Sequence, residues 1–208
     1  MIRALISDFG GVLTTPLAAG FVAYEEEAPI SLQDLGRAMQ EAAEAYGEHP
    51  LFALERGEIS EAEFGRRLAE RLHDGFDLQR LRELYFERIE PNAPMIAYMR
   101  SLRADGLRLG LLTNNVREWE PLWRAKLHDV DELFEVIVDS AFVGMRKPEP
   151  GIYELTLERL GLPGDACAFI DDLELNCVAA REHGITPIQF HSTEQVIHEL
   201  DGLLEEAA

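Results

Sequence analysis

Apolar and polar positions divide the 208-residue chain into two kinds of segment. Between residues 20 and 90, apolar residues recur at helical spacing without strand-like alternation, which predicts a wholly helical segment. Before and after it, short apolar runs alternate with amphipathic stretches, as in a parallel sheet covered by helices on both faces. The pattern predicts a doubly wound α/β core of residues 1–15 and 91–208, with residues 16–90 inserted as an all-helical cap.

The expected elements have recognisable starts and ends. Strands are predicted at 4–6, 107–112, 136–138, 166–170 and 185–190. Helices are predicted at 31–46, 60–72, 77–89, 95–104, 119–127, 150–160, 174–183 and 192–204. Side chains that cap helix N-termini precede several of these helices: Ser31, Asp77 and Asn92 singly, and the pairs Ser60–Glu63 and Ser192–Gln195 as capping boxes.

Composition narrows the possible partners. The formal net charge is −20 and 47% of residues are hydrophobic, so we expect a packed core and neither a nucleic-acid nor an anionic-membrane surface. No export signal is expected at the N-terminus, because Arg3 and Asp8 interrupt any apolar region. Cys167 and Cys177 are expected to be reduced core residues. We therefore expect a cytoplasmic protein, either a monomer or a homodimer.

Polar residues follow four of the predicted strands. Asp8 follows the first, Thr113-Asn114-Asn115 the second, Arg146-Lys147 comes after the third, and Asp171-Asp172 follows the fourth. Each group alone is an ordinary turn, helix cap or solvated loop. Together they would meet at the carboxyl edge of one sheet, where ligands bind in open parallel sheets.

The combination of residue types indicates a particular chemistry. Three crowded acids repel one another unless a cation neutralises them, and oxygen ligands suit Mg²⁺. The remaining hydroxyl, lysine and loop amides are groups that bind phosphate. A small phosphorylated metabolite is the expected ligand.

In their order and placement, these four stretches resemble the motifs of the haloacid-dehalogenase-like hydrolase superfamily. The stretches Arg146-Lys147-Pro148-Glu149-Pro150-Gly151-Ile152-Tyr153 and Phe169-Ile170-Asp171-Asp172 are similar to the subgroup with a helical cap after the first motif. That subgroup includes the phosphatase-like N-terminal domain of soluble epoxide hydrolases. Arg56-Gly57-Glu58-Ile59-Ser60 resembles a common cap stretch.

The resemblance implies a role for each residue. Asp8 would be the nucleophile that forms an aspartyl-phosphate. Asp8, the Gly10 carbonyl, Asp171 and Asp172 would hold Mg²⁺. Thr113, Asn114 and Lys147 would bind phosphate, with Lys147 also pairing with Asp8. Asn176 would hold the Asp171–Asp172 loop.

Gly10 departs from the phosphatase pattern, which has a second aspartate at that position as general acid and base. Such a group contributes roughly 10²–10⁴-fold in rate. The enzyme could act on good leaving groups such as sugar 1-phosphates or acyl phosphates. Alternatively, Thr14, Thr15 or a cap residue could assist, or the site could bind phosphate without useful turnover.

Two other functions remain open. A weakly active or inactive protein could serve as a phosphometabolite-binding module, and Gly10 favours this interpretation. A 2-haloacid dehalogenase also lacks the second aspartate, but it needs no metal, which would leave Asp171 and Asp172 without a neutralising cation.

The cap offers candidates for substrate selection, namely Tyr24, Phe52, Phe64 and Arg67. Arg117 and Trp119 could line the cleft.

Overall fold

Five parallel strands form a single sheet at the centre of the protein. The structure is a computed structural model, and it describes residues 1–27, 30–72 and 76–205. The strands are β1 (Ala4–Ser7), β2 (Arg108–Thr113), β3 (Val136–Asp139), β4 (Cys167–Asp171) and β5 (Thr186–Gln189). Their order across the sheet is β3-β2-β1-β4-β5, which places β1 in the middle with all four of its residues buried.

Helices account for the rest of the regular structure in the described residues. Two short 3₁₀ turns, Arg117–Trp119 and Gly164–Ala166, accompany them. The α-helices are α1 (Leu17–Glu27), α2 (Leu32–Tyr46), α3 (Pro50–Glu55), α4 (Glu61–Ala69), α5 (Leu78–Arg88), α6 (Ala93–Ala104), α7 (Glu120–Arg124), α8 (Val130–Leu133), α9 (Ser140–Val143), α10 (Pro150–Leu160), α11 (Glu174–Glu182) and α12 (Thr193–Glu205).

The predicted fold class, a doubly wound parallel sheet with an inserted helical cap, is confirmed. Every described element between Leu17 and Arg88 is a helix, and we call α1–α5 the helical insert. Helix α10 has the predicted bounds. The short helices α3, α8 and α9 were not predicted, because four to six residues are too few to show helical periodicity.

Two further helices end at residues other than those predicted from the sequence. Helix α4 stops at Ala69 rather than residue 72, and Leu72 closes a final turn by donating its N–H to the Leu68 carbonyl. The region predicted as a helix at 119–127 is divided between a 3₁₀ turn and α7.

The predicted N-terminal caps are present. Ser31, Asp77 and Asn92 each accept a backbone N–H three residues ahead. Ser192 and Gln195 form a complete capping box. The Ser60–Glu63 box is half formed, because the Glu63 carboxylate accepts hydrogen bonds from Arg66 and Arg67 instead.

Alternate residues of each strand point to opposite faces of the sheet, and an apolar cluster covers each face. Leu5, Leu109 and Ile170 belong to the cluster that continues into the helical insert, whereas Ile6 and Phe169 belong to the other. Cys167 and Cys177 are free and buried, as expected. In the part of the chain that the structure describes, no helix is long and apolar enough to cross a membrane.

The two connections between the sheet and the helical insert are hydrogen-bonded to each other. Thr15 N donates to the Glu90 carbonyl at 3.0 Å, and Glu90 N donates to Thr15 Oγ1 at 3.2 Å. Asn92 N donates to the Leu13 carbonyl at 2.8 Å. These bonds lie beside the predicted boundaries at 15/16 and 90/91.

Candidate active site

The strand register brings two of the predicted acids to one level. Ser7 of β1 pairs with Ile170 of β4. The residues that follow them, Asp8 and Asp171, therefore lie side by side at the carboxyl end of the two strands. Thr113 ends the neighbouring strand β2 and is buried. The carboxyl edge of the sheet therefore collects these side chains, as the sequence predicted.

Lys147 lies between two carboxylates. Its Nζ is 2.8 Å from Asp8 Oδ1 and 2.6 Å from Asp171 Oδ2, and the residue is 1% exposed. Asn114 fixes the Lys147 backbone from both sides: its Nδ2 donates to the Lys147 carbonyl at 2.9 Å, and its Oδ1 accepts the Lys147 N–H at 2.8 Å. The Asn114 side chain, predicted to bind phosphate, thus holds the lysine loop in place.

The second oxygen of Asp171 is also occupied. Asp171 Oδ1 accepts hydrogen bonds from Leu173 N and from Asn176 Nδ2, both at 2.9 Å. Asn176 therefore contacts the acidic loop in the way the resemblance implied. These bonds fix the direction of the Asp171 carboxylate.

Asp172 approaches the turn after β1 closely. A Cβ added at Gly11 would lie 2.3 Å from Asp172 Oδ2, and Gly11 has a φ of +82°. Only glycine takes this backbone conformation readily and leaves room for the carboxylate.

The charges in this group are unbalanced. Burial raises the pKa of Asp8 to about 7; the charges of Asp171 and Asp172 add to the rise, and Lys147 opposes it. Burial also raises the pKa of Asp172. Burial lowers the pKa of Lys147, but Asp171 and Asp8 outweigh it, and the net shift is upward. One ammonium group does not neutralise three carboxylates.

This donor set fits a divalent cation. Asp8, Asp171 and Asp172 each offer a carboxylate oxygen, and these oxygens all lie within 4.8 Å of one another. Hard cations such as Mg²⁺ take oxygen ligands. A cation here would oppose the rise in the pKa of Asp8 that burial and the two neighbouring carboxylates cause.

Space is open beside Gly10. A Cβ added there would meet no atom of the described residues within 4 Å. The nearby Thr14 hydroxyl donates to the carbonyls of Phe9 and Thr15, and the Thr15 hydroxyl donates to the Arg88 carbonyl. Neither threonine lines the cavity that contains Asp8, so the sequence-based suggestion that they assist catalysis gains no support.

A cavity of about 370 Å³ lies between the carboxyl edge of the sheet and the helical insert. Asp8, Thr113 and Lys147 line one end of it. Tyr85 of α5 also lines it; burial raises the pKa of the Tyr85 phenol, and the charge of Asp8 raises it further.

Ion pairs join the helical insert to the lysine loop. Arg146 Nε lies 2.5 Å from Glu55 Oε2, and Arg56 Nη1 lies 2.8 Å from Glu149 Oε1. The Arg146 guanidinium also packs over the Phe52 ring at 4.0 Å. Helix α3, whose Glu55 lines the cavity, is therefore bound to the loop whose Lys147 contacts Asp8.

Several cap candidates have other roles. Tyr24 accepts a hydrogen bond from Asp77 N, and Arg67 pairs with Glu63. Phe64 and Trp119 do line the cavity, but Arg117, which donates to the Ala141 carbonyl, does not.

Glu55 and Tyr85 were not predicted from the sequence. Glu55 directly precedes the recognised stretch that begins at Arg56, which was the available signal. Tyr85 lies within the helix predicted at 77–89, and helical spacing alone does not mark it as a site residue.

Comparison with known proteins gives relatives along nearly the whole chain. Rat bifunctional epoxide hydrolase 2 is 24% identical over 96% of this chain and 38% of its own length. Aspergillus oryzae sesquiterpene phosphatase astK is 26% identical over 93% of this chain and 91% of its own. The chain spans between 19% and 38% of the length of the first curated relatives that it matches.

A solved structure shares the fold. A haloacid-dehalogenase family enzyme from Bacteroides thetaiotaomicron, in complex with magnesium and inorganic phosphate, superimposes with a TM-score of 0.68 at 24% identity, covering 91% of this chain and 94% of that one. The sequence model of the haloacid dehalogenase-like hydrolase family matches residues 2–184 of this chain. The resemblance found in the sequence is therefore confirmed, and the chain belongs to the haloacid dehalogenase-like hydrolases.

Proposed function

We propose that the protein is a magnesium-dependent phosphomonoester hydrolase that acts through an aspartyl-phosphate on Asp8. The observation that carries this proposal is the contact of Lys147 Nζ with both Asp8 and Asp171, where Asp8 and Lys147 line the cavity. The relative named sesquiterpene phosphatase, which this chain matches over 91% of its length, also supports a phosphatase.

In the first step, an Asp8 carboxylate oxygen attacks phosphorus and the bond from phosphorus to the ester oxygen breaks. Lys147 stabilises the negative charge on the transferring group, and Thr113 donates to a phosphate oxygen. Mg²⁺ held by Asp8, the Gly10 carbonyl, Asp171 and Asp172 would neutralise the phosphate. Water then hydrolyses the aspartyl-phosphate, which releases inorganic phosphate and restores the Asp8 carboxylate.

The leaving alkoxide needs a proton that Gly10 cannot supply. We assign this proton to the Tyr85 phenol, which lines the same cavity as Asp8. Glu55 also lines the cavity, but it is paired with Arg146. Tyr85 therefore replaces the missing aspartate as the donor in this proposal.

The test measures phosphate release from acetyl phosphate and p-nitrophenyl phosphate, with Mg²⁺ and with a chelator. We expect release with Mg²⁺ only. Asp8→Asn should abolish it while circular dichroism stays unchanged, and mass spectrometry of the wild-type protein should detect a phosphoryl adduct on Asp8. Activity that survives in Asp8→Asn would overturn the mechanism.

The same experiment separates the alternatives. Metal-dependent phosphate binding without release would favour the phosphometabolite-binding module. Halide release from 2-haloacids that survives chelation would favour the dehalogenase. The cluster of three carboxylates argues against the dehalogenase, because that chemistry leaves them without a neutralising cation.

A further inference from the structure

The cavity that contains Asp8 has one polar end and one apolar end. At the sheet edge it is lined by the groups that would bind phosphate. From there it continues into the helical insert, and its whole volume of about 370 Å³ is within the size range of cavities that enclose a small organic ligand. Protein interiors are close-packed and contain few voids larger than a water molecule. A space of this size that opens beside the nucleophile therefore indicates a binding site and not a packing defect.

The walls of the insert are hydrocarbon. Of the insert residues in the described part of the chain that line the cavity, only Glu55 and Tyr85 carry a polar oxygen or nitrogen in the side chain. Several helices contribute the apolar side chains, among them Phe21, Leu35, Met39, Phe64, Leu68 and Leu81.

Several polar side chains nearby are already engaged, and the Tyr85 phenol is the proposed proton donor. Glu55 is bound by Arg146, and the Trp119 indole N–H donates to Glu61 at 2.9 Å. The Asn114 amide is used by the Lys147 backbone, and Asn115 Oδ1 accepts the Val116 N–H. A sugar in this cavity would bury hydroxyl groups that lack partners, which weakens binding.

We propose that the substrate is the phosphomonoester of an apolar alcohol, whose hydrocarbon group fills the cavity between the sheet edge and the helical insert. This inference rests on the proposed function for turnover, but it concerns only what the cavity binds. It replaces the sequence-based suggestion of sugar 1-phosphates or acyl phosphates. The bond from phosphorus to the alcohol oxygen breaks as described above, and the products are inorganic phosphate and the alcohol.

The first experiment compares methyl, butyl and octyl phosphate with glucose 6-phosphate, using the Mg²⁺-loaded protein below the concentration at which octyl phosphate aggregates. Burying one methylene is worth about fourfold in binding. We therefore expect kcat/KM to rise by about two- to fourfold for each added methylene until the cavity is full. Equal values across the alkyl series, or a preference for glucose 6-phosphate, would overturn the proposal.

The second experiment uses a pair of variants on one helix. Met39→Gln places an amide in the cavity wall without a large change of volume, whereas Gln40→Met alters the neighbouring exposed position outside it. The ratio of kcat/KM for octyl over methyl phosphate should fall at least tenfold in Met39→Gln and stay unchanged in Gln40→Met. An unchanged ratio in both would contradict the assignment of the apolar wall.

Binding separates failure of this inference from failure of the proposed function. Calorimetry with methyl and octyl phosphonate, which cannot be hydrolysed at the carbon–phosphorus bond, measures chain-length preference without turnover. Tighter binding of octyl phosphonate with no phosphate release from any ester would support the cavity assignment and overturn the phosphatase. Phosphate release from the esters with equal binding of the two phosphonates would support the phosphatase and overturn the cavity assignment.

Discussion

Glu55 Oε2, on helix α3 of the helical insert, lies 2.5 Å from Arg146 Nε, one residue before Lys147. Both side chains are nearly buried, at 11% and 15% exposure. The contact ties the wall of the cavity to the loop that carries the lysine. It therefore couples the position of the insert to that of the ammonium group beside Asp8.

Glu55→Gln should weaken that coupling. Loss of one charge from a nearly buried, hydrogen-bonded pair costs about 1–3 kcal/mol, and we expect both the free energy of unfolding and kcat/KM to fall. Urea denaturation and steady-state kinetics measure the two effects. Arg37→Gln, which breaks an exposed pair with Asp34, is the control and should change the unfolding free energy by less than about 1 kcal/mol. Equal effects of the two substitutions would show that burial of the Glu55 pair has no consequence.

Tyr85→Phe should slow esters with poor leaving groups selectively. Removal of the phenol takes away the proposed proton donor, which is worth roughly 10²–10⁴-fold in general acid catalysis. Octyl phosphate turnover should drop by a large factor, whereas acetyl phosphate, whose leaving group needs little protonation, should change little. A uniform loss on both substrates would indicate a packing role for Tyr85 beside Trp119.

Gly10→Asp should raise turnover of alkyl phosphates. The added side chain enters open space, and a carboxyl group there could transfer protons to and from the leaving group and water. The gain should be larger for octyl phosphate than for acetyl phosphate. Gly10→Asn, of similar size but without acid–base function, is the matched control. A gain of equal size in Gly10→Asn would exclude proton transfer as its cause.

Gly11→Ala should weaken magnesium binding. Its Cβ would collide with the Asp172 carboxylate, and displacement of groups around a metal typically costs about 10–100-fold in affinity. Gly47→Ala is a matched control, since Gly47 has a φ of +79° and a Cβ there meets no described atom within 4 Å. Both variants should lose about 1–2 kcal/mol of stability from backbone strain. Only Gly11→Ala should lose Mg²⁺ affinity in calorimetry.

Asp139→Asn should flatten the dependence of stability on pH. Burial raises the pKa of Asp139 from 3.8 to about 6, and its Oδ2 has no hydrogen-bond partner in the described part of the chain. The folded state therefore holds the proton more tightly than the unfolded state. The contribution of Asp139 to the free energy of unfolding therefore falls as the pH rises from 4 to 6, by up to about 3 kcal/mol, and is then constant.

The amide introduced by Asp139→Asn would keep an Oδ1 acceptor for the Ala141 N–H and cannot ionise. The variant should gain stability relative to the wild type as the pH rises from 4 to 7, measured by urea denaturation. Asp105→Asn, at an exposed helix end, controls for the loss of one carboxylate. If the free energy of unfolding of Asp139→Asn changed with pH between 4 and 6 as steeply as that of the wild type, the prediction would be contradicted.

Local signals in the sequence were sufficient for the sheet and for the residues at its edge. Asp8 and Asp171 could be placed because each follows an apolar run, and parallel strands bring their carboxyl ends together. Lys147 was found because its neighbours resemble a known motif. These inferences need only short stretches of chain and one rule of topology.

The cavity could not be predicted in the same way. Phe21, Met39 and Leu81 lie on three different helices, and helical periodicity identifies an apolar face without showing what it faces. Asn114 was expected to bind phosphate because it follows Thr113. That stays a prediction; the contact that its side chain makes with the backbone of Lys147, 33 residues away, is one that no local pattern reports.

The hydrogen bonds between Thr15 and Glu90 turn the two connections of the helical insert into one short ribbon. The two connections therefore cannot move independently of each other without breaking these bonds. The covalent attachment of the insert to the core is thus one joint and not two separate linkers.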